Sequence, residues 1–366
     1  MNAVITEEIS PPISRSSLPL RAMTRVTWLQ HRSLILGVLG LFGALAVYVV
    51  FNSDAVHAIY AQYVLHKCSA PVASNIRTCI GITPRIQAFS DTLTLVNIAV
   101  QVVPVVVGMF IGAPLIAREF ESGTYRFTWT QGMPRTLWLT LKIALLAFAV
   151  IVPACLLGLL AGGYNNPFNA IGLANRWQIA QFDMTGLTLP AWTLLGLALG
   201  TFVGALVKRT VSAMAVTGAV IGGCIVAVFW KLDYLLLSIG VRVTTISPEG
   251  LNYGALNMGA ETSGTGFGRY GANISTQPVG SWLVNGWYTG PNGGRLSSHA
   301  THQLIIRALE NSKRQIVWLA QHHYAYWVSY QPANRYWIFQ SVEVAVLVGL
   351  SVVLAWGTST LIRRRA

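Results

Sequence analysis

Apolar residues along this chain gather into runs of membrane length, separated by short polar joints. Six such runs, 34–51, 93–117, 143–162, 187–207, 211–230 and 337–356, approach the roughly 20 residues that a helix needs to cross a hydrocarbon core. Backbone amides buried in lipid must bond within their own segment, so the runs predict six transmembrane helices. Ahead of the first, Leu18, Ala22, Val26 and Leu29 share one narrow helical arc, with Arg21, Arg25 and Arg32 on the arc beside it. That pattern predicts an interfacial helix over 18–33 with Trp28 at headgroup depth, a plain solvated helix being the competing reading. Residues 1–19 are polar, broken by Pro11, Pro12 and Pro19, and predict disorder.

The stretch 231–336 is different in kind. Gly, Asn, Ser, Thr and aromatic residues dominate, SGTGFGRYG and TGPNGG mark turns, and only 301–322 has helical spacing. It predicts an irregular extracytoplasmic domain with one short helix, followed by an aromatic approach, Tyr326, Trp327, Tyr330, Tyr336 and Trp337, to the last span. The expected organisation is therefore 1–33 (tail and interfacial helix), 34–230 (spans one to five), 231–336 (outer domain) and 337–366 (sixth span and basic tail).

Composition agrees with this class. Of 366 residues 53% are hydrophobic and 10% charged, against about 25% charged in soluble domains, so the chain reads as an all-α polytopic membrane protein. The net charge is +13. Twelve of the 25 Lys and Arg residues stand in the short segments on one side, Arg15, Arg21, Arg25 and Arg32; Arg118, Arg126 and Arg135; Lys208 and Arg209; Arg363, Arg364 and Arg365, while those on the opposite side are spread over much longer stretches, which weigh little in topology. The positive-inside rule then puts both termini in the cytoplasm of a plasma-membrane protein and explains the charge by lipid contact, without nucleic acid. No cleavable signal peptide is expected, because some thirty mixed residues precede the first apolar run.

The joint between the second and third runs, residues 118–137, carries acids, arginines and aromatics together. Neither lipid nor water suits Arg118, Glu119, Glu121, Tyr125, Arg126, Phe127, Trp129 and Arg135 as a set, and a groove on a partner protein does. Insertion of the aromatics into the inner headgroup layer is the alternative. Within the spans, Gly196, Gly200 and Gly204 recur every four residues in the fourth, and Gly218 and Gly222 in the fifth, which predicts close helix approach. Asn97 and Gln101 stand one turn apart in the second span, and are expected either to line a path or to bond helix to helix. Glu343, in the sixth, is either a structural carboxylate or part of substrate passage, and Lys142 is expected to snorkel from the start of the third span. Cys68 and Cys79 lie in one outer loop; a disulfide is favoured over two free thiols.

Several chemistries are missing. No Lys follows a Gly, so there is no Walker A loop; HExxH and GxSxG are absent as well, and no metal site is expected. Taken together, TRVTWLQHR before the first span, APLIAREFESGTYRFTWTQ and GMPRTLWLTLK between the second and third, and YQPANRYWIFQ opening the sixth resemble the permease subunits of ABC-2 type (type V) exporters, in a bacterial subgroup with an extended outer segment. Arg118, Glu119, Glu121, Gly123 and Thr124 match that family's coupling segment.

The resemblance implies two permease halves, homo- or heteromeric, and two separate ATP-binding subunits that hold ATP and magnesium, with no cofactor on this chain. A short helix starting near Gly123 and Thr124 and ending at Gly132, Met133 and Pro134 would dock into each ATPase. Tyr125, Phe127 and Trp129 would fill its groove, and Glu119, Glu121, Arg126 and Arg135 would set register at the rim. A membrane sensor or scaffold that recruits a signalling partner is the reading from another class. Sparse intramembrane charge argues against an ion-coupled transporter.

Overall fold

A computed structural model of the chain describes residues 20–66, 76–123, 135–170, 176–228, 241–246, 260–261, 269–270, 281–310, 318–319 and 321–365. Six helices in it are long and apolar enough to cross a membrane: Arg32–Leu65, Leu95–Ser122, Leu137–Ala170, Thr188–Val207, Thr210–Ala227 and Ala333–Arg364. The expected count holds, while most of the helices are longer than their apolar runs. Helix α1 (Leu20–Leu65) is continuous, with no break between the arginine-flanked segment and the first span. Nothing in that sequence forces a separation, since no proline or glycine interrupts residues 20–36. The predicted disorder of 1–19 lies outside the described residues.

The second span has two parts, α2 (Ile76–Val107) and α3 (Ala113–Ser122), joined by a π turn at Gly108–Gly112. Pro114 explains it. A proline inside an α-helix lacks the N–H and crowds the carbonyl four residues back; here the ladder widens just before it, and the Ala113 N–H reaches Gly108 O, five back. Helix α4 (Arg135–Ala170) follows, then a single turn α5 (Ile179–Phe182), α6 (Thr188–Val207) and α7 (Thr210–Ala227).

Helix α6 is the centre of the bundle. Of its most apolar stretch 72% is buried, against 17–50% in the other spans, and its glycines explain why. A Cβ on Gly196 would strike the Pro104 carbonyl oxygen, one on Gly200 the Gly108 carbonyl and one on Gly204 the Ala113 carbonyl. The fit is reciprocal: a Cβ on Gly108 would lie 2.8 Å from Gly196 O, and one on Gly112 2.7 Å from Leu197 O. Gly218 faces the Met109 side chain, whereas Gly222 meets no atom within 4 Å. The fourth-span stripe therefore packs against backbone and Gly218 against a side chain, while Gly222 takes no part in close packing.

The segment before the last span is more regular than its sequence implies. Strands β1 (Arg242–Ile246), β4 (Trp282–Thr289) and β5 (Ala325–Gln331) form an antiparallel sheet in the order β1-β5-β4, while β2 (Ala260–Glu261) and β3 (Arg269–Tyr270) pair separately. Helix α8 is Ser298–Glu310; of the rest of the expected 301–322 helix, residues 318–319 and 321 are helical and 311–317 lie outside the described residues. Tyr326 and Trp327, read as a membrane-interface belt, are sheet residues opposite Tyr288 and Trp287. Leu304, Leu319, Tyr288 and Tyr326 make a small core under the sheet. Burial there raises the Tyr288 and Tyr326 hydroxyls above the ordinary phenol range. A 3₁₀ turn, Ala333–Arg335, leads into α9 (Tyr336–Arg365).

Candidate coupling site

Helix α3 ends at Gly123, whose φ of 70° places it in the left-handed region that glycine adopts without strain. Immediately before it, three consecutive side chains reach three different places. Glu119 accepts from Lys142 of α4; the Lys142 side chain is 2% exposed and its ammonium lies 5.1 Å from the Trp138 ring centroid. Phe120 carries Lys208 of the α6–α7 turn over its ring at 5.6 Å. Glu121 accepts the Thr210 backbone N–H at 2.9 Å.

Each contact answers a local need. Lys142 does not snorkel, because α4 begins at Arg135, two turns earlier than its apolar run, and so carries the ammonium inward. A charge buried there requires a partner, and Glu119 supplies it. Arg209, preceding α7, makes no side-chain cap bond, so the helix start is served from another helix by Glu121, a carboxylate at the positive end of the helix dipole. Lys208 takes a left-handed φ of 57° to close the tight α6–α7 turn, with its N–H on Gly204 O at 3.1 Å. An open groove of about 470 Å³ lies alongside, lined by Leu34, Phe110, Pro114, Arg118, Glu121 and Met214.

Of the residues singled out from sequence, Arg118, Glu119, Glu121 and Gly123 therefore occupy one braced corner, on or directly after a helix instead of in a free loop. Thr124, Tyr125, Arg126, Phe127 and Trp129 lie outside the described residues, as does Cys68; Arg135 and Cys79 are described for their helical backbone alone. Sequence reasoning missed Lys142 as the partner of Glu119, as well as Phe120, Lys208 and Thr210. A lone lysine in an apolar run was the available signal for the first.

The intramembrane polar residues fall into two further groups. Asn97 is buried, and its Oδ1 accepts from Asn165 Nδ2 of α4 at 3.5 Å. Gln101 lies one turn deeper on α2. Glu343 makes a separate contact: its Oε1 accepts from Trp192 Nε1 at 2.9 Å, so it bridges α9 to α6. Near that bridge, Gln340 Nε2 donates to Phe182 O and Thr185 O, both at 3.2 Å, and to the Tyr336 hydroxyl at 2.8 Å. Trp177, fully buried, stacks on Phe182 and meets Tyr336 edge-on at 5.4 Å. Arg176 sits 4.7 Å over the Tyr336 ring and donates to Ala333 O at 2.9 Å. The start of α9 is thereby locked to the turn between α4 and α6.

The family model described as "ABC-2 membrane transporter related" matches residues 39–232, which is more than half of the chain and takes in most of the first span and all of the next four. No curated protein and no solved structure matches.

Proposed function

Because the chain belongs to the ABC-2 membrane transporter related family and is a multi-pass membrane transport permease, we propose that it is the membrane half of an ATP-driven exporter. In this reading two copies of an ABC ATP-binding subunit, carrying ATP and magnesium, dock on residues 118–137 from the cytoplasm, where both termini also lie. A second permease, identical or different, completes the assembly.

The observation that supports it is the bracing of Glu119, Phe120 and Glu121. A segment that receives force from a partner needs a root that does not yield, and here the root is tied to α4, to the α6–α7 turn and to the start of α7. Tyr125, Phe127 and Trp129 fill the ATPase groove, with Arg126 and Arg135 at its rim. Closure of the ATPases moves the root, and the glycine contact between α6 and the α2–α3 joint passes the motion to the bundle centre as a rigid-body shift. Cargo passes the polar residues Asn97 and Gln101 and leaves near Glu343.

Purification of the intact chain with its ATP-binding subunit, followed by ATPase assay, tests this reading. Capture of the subunit and stimulation of its hydrolysis, both lost on Trp129→Ala, is the expected result. Capture of a signalling protein, or of nothing, favours the scaffold reading instead.

A further inference from the structure

The third span runs eight residues past its apolar run, and those turns carry Tyr164, Asn165 and Asn169. Tyr164 and Asn165 are 1% and 2% exposed. Helices α2 and α4 touch little directly, while α1 and α6 each pack on both, so the Asn165–Asn97 bond crosses the interior of a four-helix group. On the same two helices, within one turn of that bond along the chain, Gln101 Nε2, the Tyr164 hydroxyl, Asn165 Oδ1 and Asn169 Oδ1 are all buried without a hydrogen-bonding partner. Helix-to-helix bonding explains one pair of atoms and leaves four polar ends unmatched, which lipid-buried structure does not tolerate.

The two helices cross in opposite senses. Asn169 and Gln101 therefore fall one turn to either side of the Asn97–Asn165 bond, and the polar strip is about 12 Å long at 1.5 Å rise per residue. The buried side chains Leu93, Val96, Leu157 and Phe168 of the same two helices belong to one apolar core cluster. No charged residue occurs in 92–117 or 143–170, so these stretches of the two helices set no fixed charge beside the strip. Each amide offers one donor end and one acceptor end whichever way it is turned.

We propose that Asn97, Gln101, Tyr164, Asn165 and Asn169 form a binding site within one protomer for an uncharged group bearing both donors and acceptors, an amide or polyol part of the transported molecule. The assignment to cargo rests on the transport reading above; the chemistry of the site does not. Water shares this chemistry, and the experiment separates the two.

In nanodiscs, with the four native cysteines replaced by serine, Asn97→Cys, Gln101→Cys and Leu95→Cys are each reacted with hydroxyethyl methanethiosulfonate and with its cationic trimethylammonium analogue. Leu95 is 69% exposed on the bundle surface and serves as the lipid-facing control. A thiol in a polar site ionises more readily than one in lipid, so positions 97 and 101 should react at least about tenfold faster with the neutral reagent than position 95 does. They should also prefer it over the cationic reagent by a similar factor. Hydroxyl-radical footprinting of Tyr164 in the unsubstituted chain gives a readout independent of the variants. Rates no faster than at Leu95 with Tyr164 unmodified mean a sealed packing contact. Modified Tyr164 with the neutral reagent excluded means water alone, and equal rates for both reagents mean an unselective crevice; each of these overturns the proposal. All measurements use the permease without any ATPase, so they stand or fall separately from capture of that subunit.

Discussion

Lys142 donates to Glu119 from two turns inside α4, with its ammonium almost wholly out of solvent. The bond joins the two stems that flank residues 124–134.

Removing one charge strands the other. Lys142→Met or Glu119→Gln alone should destabilise the protein by about 3–5 kcal/mol, because an uncompensated buried charge is left behind, while Lys142→Met with Glu119→Leu should recover most of the loss. Thermal unfolding in a fixed detergent checks this; a double variant as unstable as the sum of the singles means the pair does not interact.

The Glu121 contact should act locally. Glu121→Ala frees the Thr210 amide, so hydrogen exchange at the first turn of α7 is expected to quicken while that of α6 stays unchanged. Equal protection in both proteins removes the capping role.

The glycine stripe predicts a graded response. Gly200→Ala puts a methyl against the backbone of Gly108, Gly112 and Ala113, which cannot rotate away, and should cost at least the 1–3 kcal/mol typical of overpacking. Gly222→Ala meets open space and should be neutral or raise stability by up to about 1 kcal/mol, since alanine is the better helix former. Similar melting shifts for the two would contradict the packing described.

The tyrosine pair under the sheet sets a pH response. Burial raises both hydroxyls in the folded state, so their contribution to stability is complete below the unfolded phenol value of about 10 and is lost as pH rises through the folded values. Alkaline melting of the sheet, followed by near-UV absorbance, should therefore begin above pH of about 10 and should be blunted in Tyr288→Phe. A tyrosinate signal appearing near pH 10 in the folded protein would show the ring to be solvated.

Chain order alone was enough for the class, the six spans and the family, because lipid imposes one rule on every buried backbone amide and so makes hydropathy and run length decisive. It was also enough to single out Arg118, Glu119, Glu121 and Gly123, whose charges and turn chemistry stand out between apolar runs. Partners were another matter. Lys142 reads as a headgroup anchor until the start of α4 is known, Gly200 names no neighbour until the Pro114 π turn is seen beside it, and Asn165 lies beyond the point where hydrophobicity ends. Helix extension, facing and pairing depend on contacts between residues far apart in sequence, and a one-dimensional pattern of polarity does not encode which face meets which; only the folded bundle decided that.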